Sequence, residues 1–120
     1  MKKRLLTIPL IILSLAACSP HPGAGVWKAE GENTLGIRGM TLAYEGKAVF
    51  SSTRVKPALW HCFWNGASSH AANLDCTPST DTESHERFVF TVGEDGVGEL
   101  RQQGQVIGRF VRETGNPAIQ

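Results

Sequence analysis

Beyond residue 25 the chain never keeps a helical repeat for the ~10–12 residues that a convincing helix requires. It runs instead in short stretches, each closed by turn-forming residues. Arg87 to Val92 shows the pattern most cleanly: Phe88, Phe90 and Val92 alternate with Arg87, Val89 and Thr91. Successive side chains of a strand point to opposite faces, so this alternation is that of a strand with one face in a core. Comparable stretches are Val26–Glu30, Thr34–Arg38, Met40–Tyr44, Lys47–Ser52, Leu59–Trp64, Leu74–Thr77, Val97–Arg101 and Gln105–Arg112. Turn signals at Glu45-Gly46, Glu94-Asp95-Gly96 and Gln103-Gly104 separate neighbours as hairpins. The spacing predicts an all-β fold, a small antiparallel barrel or sandwich of about eight short strands.

Two stretches carry further expectations. In Met40–Tyr44, residues Met40, Leu42 and Tyr44 share one side. Leu59–Trp64 places Trp60, Cys62 and Trp64 on one face and Leu59, His61 and Phe63 on the other. Apolar groups on both faces predict a strand covered on both sides, or one near the rim of a closed barrel. Asn65 to Asn73 is small and polar and reads as a loop. A return strand at Leu74–Thr77 would then bring Cys76 to Cys62. A bridge there closes a loop of about 15 residues, for which chain entropy predicts about 3 kcal/mol of stabilisation. Free thiols, or a metal site that adds His61 and His70, are the alternatives.

The first eighteen residues differ from the rest. Lys2, Lys3 and Arg4 precede an apolar run from Leu5 to Leu13, and Leu15-Ala16-Ala17-Cys18 closes it. A charged start, an apolar centre and small residues before a cut are the parts of an export signal. The run is shorter than the ~20 apolar residues of a membrane-spanning helix, and Pro9 interrupts it. Leu15-Ala16-Ala17-Cys18 resembles the lipobox of bacterial lipoproteins. The resemblance covers residues 1–18 and implies diacylglycerol on the Cys18 thiol, cleavage before Cys18 and acylation of the new amino group. Several acyl chains anchor stably where one binds only marginally. Ser19, rather than Asp, follows the cysteine; by the same resemblance, that directs the protein to the outer membrane if the organism has two membranes.

The expected organisation is a signal peptide at 1–17, a lipidated tether at 18–25, one β domain at 26–114 and a C-terminal tail at 115–120. Pro20, Pro22, Gly23 and Gly25 suit an irregular tether. Cleavage removes three cations and no acids, which leaves 103 residues with nine cations, eleven acids and a net charge of −2. That balance argues against nucleic acid, which selects basic faces. Within the chain no acid occurs from Gly46 to Leu74, where Lys47, Arg54 and Lys56 lie, whereas eight acids fall between Asp75 and Glu113 against four arginines. If these segments form different faces, the domain carries a dipole.

Motifs for chemistry are lacking. No G-x-S-x-G, G-x-x-x-x-G-K-[ST] or G-x-G-x-x-G is present, and His21, His61, His70 and His85 fit no zinc-ligand spacing. No metal, cofactor or catalytic residue is therefore expected. The acids Asp81, Glu83 and Glu86 read as a solvated loop. Trp60, Phe63 and Trp64 form an aromatic group beside the cysteine pair, and exposed aromatics are enriched at binding hot spots. Trp60, Trp64, Asn65 and His70 are the expected contacts for a partner or ligand. Gly25-Val26-Trp27 resembles the Gly-x-Trp opening of lipocalins; it covers three residues and implies an apolar ligand. The leading expectation is a non-enzymatic, envelope-anchored protein-binding module, either an accessory part of an envelope assembly or an inhibitor or immunity factor. A small-ligand carrier and an envelope hydrolase are the alternatives. Mass spectrometry of the protein extracted from its own membranes should show the chain from Cys18 onward with added acyl mass; an unacylated mature mass would exclude the anchor.

Overall fold

The computed structural model describes residues 21–52 and 58–114. The signal peptide, Cys18, Arg54, Lys56 and the expected tail at 115–120 lie outside the described residues. Eight strands are present: β1 (Gly25–Ala29), β2 (Gly39–Leu42), β3 (Lys47–Ser51), β4 (Ala58–Gly66), β5 (Ala71–Pro78), β6 (Glu86–Val92), β7 (Gly98–Gln102) and β8 (Gln105–Glu113). Each pairs antiparallel with its sequence neighbour, and β8 returns to β1 to close the barrel. Closure satisfies the backbone edges that an open sheet leaves unpaired. The expected all-β fold is thus the barrel and not the sandwich.

Alternation fills the interior. Trp27, Met40, Leu42, Phe50, Leu74, Phe88, Phe90, Leu100 and Phe110 are all at most 2% exposed. The rings meet edge to face, Trp27 with Phe90 at 4.9 Å, Phe50 with Phe88 at 5.6 Å and Phe90 with Phe110 at 6.2 Å between centroids. An eight-stranded barrel is just wide enough for side chains to fill it. Gly98 on β7 makes room for this packing, because a Cβ there would fall within the Phe90 ring. Cys62 and Cys76 face each other across β4 and β5, 4.0 Å apart at Cα, and form the expected disulfide inside the barrel.

Several expectations change. Thr34–Arg38 is a turn and not a strand. The Asn33 side chain accepts from the Ile37 amide and donates to its carbonyl, and Gly36 takes a positive φ of 70°. Local side-chain bonding of this kind competes with a sheet ladder. Tyr44 does not join Met40 and Leu42 inside. It sits in a four-residue loop, 43–46, closed by Ala43 N–H to Lys47 O and Gly46 N–H to Ala43 O, and it is 65% exposed. The expected loop at Asn65–Asn73 is mostly strand. Trp64 opposes Leu74 on the inner face, while Asn65 opposes Asn73 on the solvent face, so polarity marks the outer wall and not a break. Only residues 67–70 remain as the connection.

The strand expected to be covered on both sides has one open face, for Phe63 is 70% exposed. Near its start the register shifts between Phe50 and Ser51, and Leu59 packs against the core. The expected tether also changes character at its C-terminal part: Ala24 is buried, Gly25 opens β1, and residues 21–24 pack on the barrel.

Two substitutions test this packing. Gly98→Ala should cost about 1–3 kcal/mol by overpacking the Phe90 site. Replacing Cys62 and Cys76 together by serine should cost about 3 kcal/mol. Both are read from urea unfolding midpoints, the second against the parent chain in reductant.

Candidate functional site

Consecutive strands run in opposite directions, so one end of the barrel gathers the start of β1, the loops 43–46, 67–70 and 93–97, and the end of β8. The incoming segment is clamped there. The His21 ring packs edge-on against Trp64, 5.7 Å between centroids. Its Nδ1 accepts from the Gly23 amide at 3.0 Å, so the proton sits on Nε2, which donates to the Ser68 carbonyl at 2.8 Å. Trp27 Nε1–H donates to the Gly23 carbonyl at 3.0 Å. Arg112 of β8 donates to the carbonyls of Ala24 and Pro22 and lies 4.3 Å above the Trp27 ring centroid. A Cβ on Gly25, whose φ is +134°, would come within 2.5 Å of that guanidinium. Glycine is required there for space and for backbone conformation alike.

Beside this clamp lies a concavity of about 640 Å³, lined by His21, Tyr44, Glu45, Trp64, Asn65 and Gly66 among others. Trp64 is half-buried, its Nε1–H donating to the Ala43 carbonyl at 2.8 Å. Asn65 also borders a second surface on the outer wall, a concavity of about 480 Å³ formed with Phe63, Asn73, Asp75 and Arg87. The ladder explains that wall. Lys47, Phe63, Asp75 and Arg87 are direct cross-strand partners in one row over β3, β4, β5 and β6. Phe63 therefore stands between a cation and an anion. His85 Nδ1 lies 3.1 Å from the Asp75 carboxylate, which accepts from it. The basic middle and acidic later segments thus meet on one wall, and charges of both signs are interleaved there.

Of the expected contact residues, Trp64 and Asn65 come together at the rim. Trp60 is at the far end of β4, packed edge-on against Phe88 at 5.6 Å. His70 lies in the 67–70 loop, with Ser69 Oγ at 2.9 Å from its Nδ1, and does not line either concavity. Phe63 and Tyr44 were not among the expected contacts. Phe63 alternates out of phase with the buried Cys62, and that signal was available in the strand pattern. Tyr44 required knowing that the turn begins at Ala43. Among the described residues, no three of His, Cys, Asp and Glu gather in a group able to hold a metal.

A charged group elsewhere ties strands together. Glu99 of β7 accepts from Arg109 at 3.1 Å and from Arg101 at 2.6 Å. These guanidiniums, Arg109 foremost, hold its carboxyl below the usual range. Its contribution is present at neutral pH and is lost as pH falls through the lowered value.

No family model, curated protein or solved structure matches the chain.

Replacing Arg112 by leucine should remove the ring contact and both carbonyl bonds. The expected result is a loss of about 1–3 kcal/mol and faster hydrogen exchange at Gly23 and Ala24, measured by NMR.

Proposed function

We propose that this protein is a lipid-anchored, non-enzymatic binding module of the bacterial envelope, and that a protein partner docks on the outer wall around Phe63. The observation that carries this is a large aromatic side chain, 70% exposed, on a strand that cannot easily move. Its neighbour Cys62 is bonded to Cys76, and its own backbone pairs with Lys47 on one side and Asp75 on the other. A rigid aromatic loses little entropy when covered, and a charged surround supplies specificity and steering. Lys47, Asp75 and Arg87 form that surround. The partner suited to this row is a surface with an apolar pocket flanked by charges of both signs. Either an assembly component or an enzyme held in check would meet that description.

The carrier alternative has less support. The volume in which an enclosed ligand would lie holds Trp27, Phe50, Phe88, Phe90 and Phe110. The lipocalin-like Gly25-Val26-Trp27 is accounted for by packing, since Arg112 occupies the space above both Gly25 and Trp27.

The test compares the parent chain with Phe63→Ser and Lys47→Glu, each extracted in mild detergent and analysed by native mass spectrometry. An exposed substitution should change stability by no more than about 0.5 kcal/mol. A partner chain present with the parent and lost with Phe63→Ser supports the reading. Retention of the partner by both variants would move the interface elsewhere.

A further inference from the structure

We propose that the barrel end bearing Tyr44 rests on a phospholipid surface in a set orientation, with the side chain of Tyr44 at headgroup depth. This rests on the anchor at Cys18. The strap His21–Ala24 is bonded to three separate parts of the barrel: to the 67–70 loop through His21, to β1 through Trp27, and to β8 through Arg112. Three peptide units separate the Cα atoms of Cys18 and His21. Fully extended, they reach about 11 Å. The docked end can therefore not stand further than that from the acylated residue, whereas a free tether would let the domain tumble.

The same end presents what an interface accepts. Tyr44 is 65% exposed at the loop tip, beside the half-buried Trp64. Amphipathic aromatic rings are favoured at the level of the headgroups. The loops 43–46, 67–70 and 93–97 contain Glu45, Glu94 and Asp95, and the strand ends beside them add Lys47, Arg112 and Glu113, so acids outnumber cations at this rim by four to two. Anionic lipid attracts basic segments and would repel this rim. The surface that fits is therefore zwitterionic. In this orientation the Phe63 wall stands upright from the membrane, open to a partner.

The experiment uses the full-length lipidated protein in vesicles of phosphatidylcholine carrying bromine high on the acyl chains. Two variants place a new tryptophan at opposite ends of the barrel: Tyr44→Trp at the strap end, and Val106→Trp near the start of β8, where Val106 is 42% exposed. Emission is read as the difference from the parent. Quenching about twofold greater for Tyr44→Trp than for Val106→Trp supports the orientation. Equal quenching, or greater quenching of Val106→Trp, overturns it. Inserting about ten Gly and Ser residues after Ser19 should abolish the difference, since a flexible linker no longer holds the docked end close to the anchor; a difference that persists overturns the role of the short strap. Adding phosphatidylglycerol should lower the Tyr44→Trp quenching, and no decrease overturns the choice of a zwitterionic surface. Flotation with the vesicles is measured first. Failure to float overturns the anchor, whereas flotation without selective quenching overturns only the orientation.

Discussion

The contact of Arg112 with Trp27 is the joint on which the rest of the structure depends. It lies where the barrel closes, since β8 carries the arginine and β1 the tryptophan, and these strands pair directly. Although Arg112 is exposed, its guanidinium is fixed by three partners. These are the Trp27 ring face, the Ala24 carbonyl and the Pro22 carbonyl. One side chain thus adds to the β1–β8 ladder at the closure and fastens the incoming strap. Gly25 follows as a necessity, because any larger residue would displace the guanidinium.

Above this joint the barrel is held by aromatic fit. Phe90 touches Trp27 and Phe110, while Phe88 touches Phe50 and Trp60, so two groups of rings stack along the interior. A core of few, large side chains has little freedom to rearrange, and close packing makes each ring sensitive to its neighbours. The disulfide adds a covalent tie between the two longest-paired strands. With the inside so occupied, any binding surface lies outside, where Phe63 and Tyr44 are the large exposed aromatics among the described residues.

Much of this was legible in the sequence. The period of two, the hairpin glycines and the even spacing were enough for an all-β fold of eight strands, and the cysteine pair fell where two strands meet. What escaped has local physical causes. Thr34–Arg38 has strand-like alternation, but Asn33 captures the Ile37 backbone and ends any ladder. Asn65 and Asn73 are polar because they oppose each other on the wet side of a strand pair, a fact that composition alone assigns to a loop. His21 and Arg112 are distant in sequence and hold the same strap only because closure brings β1 and the end of β8 to one rim. The aromatic group around Cys62 divided for a similar reason: strand alternation sent Phe63 outward and Trp64 inward, and strand length separated Trp60 from both.

The order of the strands has a consequence for how such a chain matures. Seven of the eight pairings join neighbours along the chain, so each needs only a short loop to form. Loop closure is inexpensive at that range. The β4–β5 hairpin, with its cysteines, can pair and be oxidised before the later strands are available. The eighth pairing is different in kind. β1 comes first in the chain and β8 last, so the edge of β1 stays open until nearly the whole domain is available to fold. An exposed edge is a template for pairing with other chains. The interval between the arrival of the first strand and the last is therefore when this protein is most exposed to association with copies of itself, and the rate at which the chain is delivered sets its length.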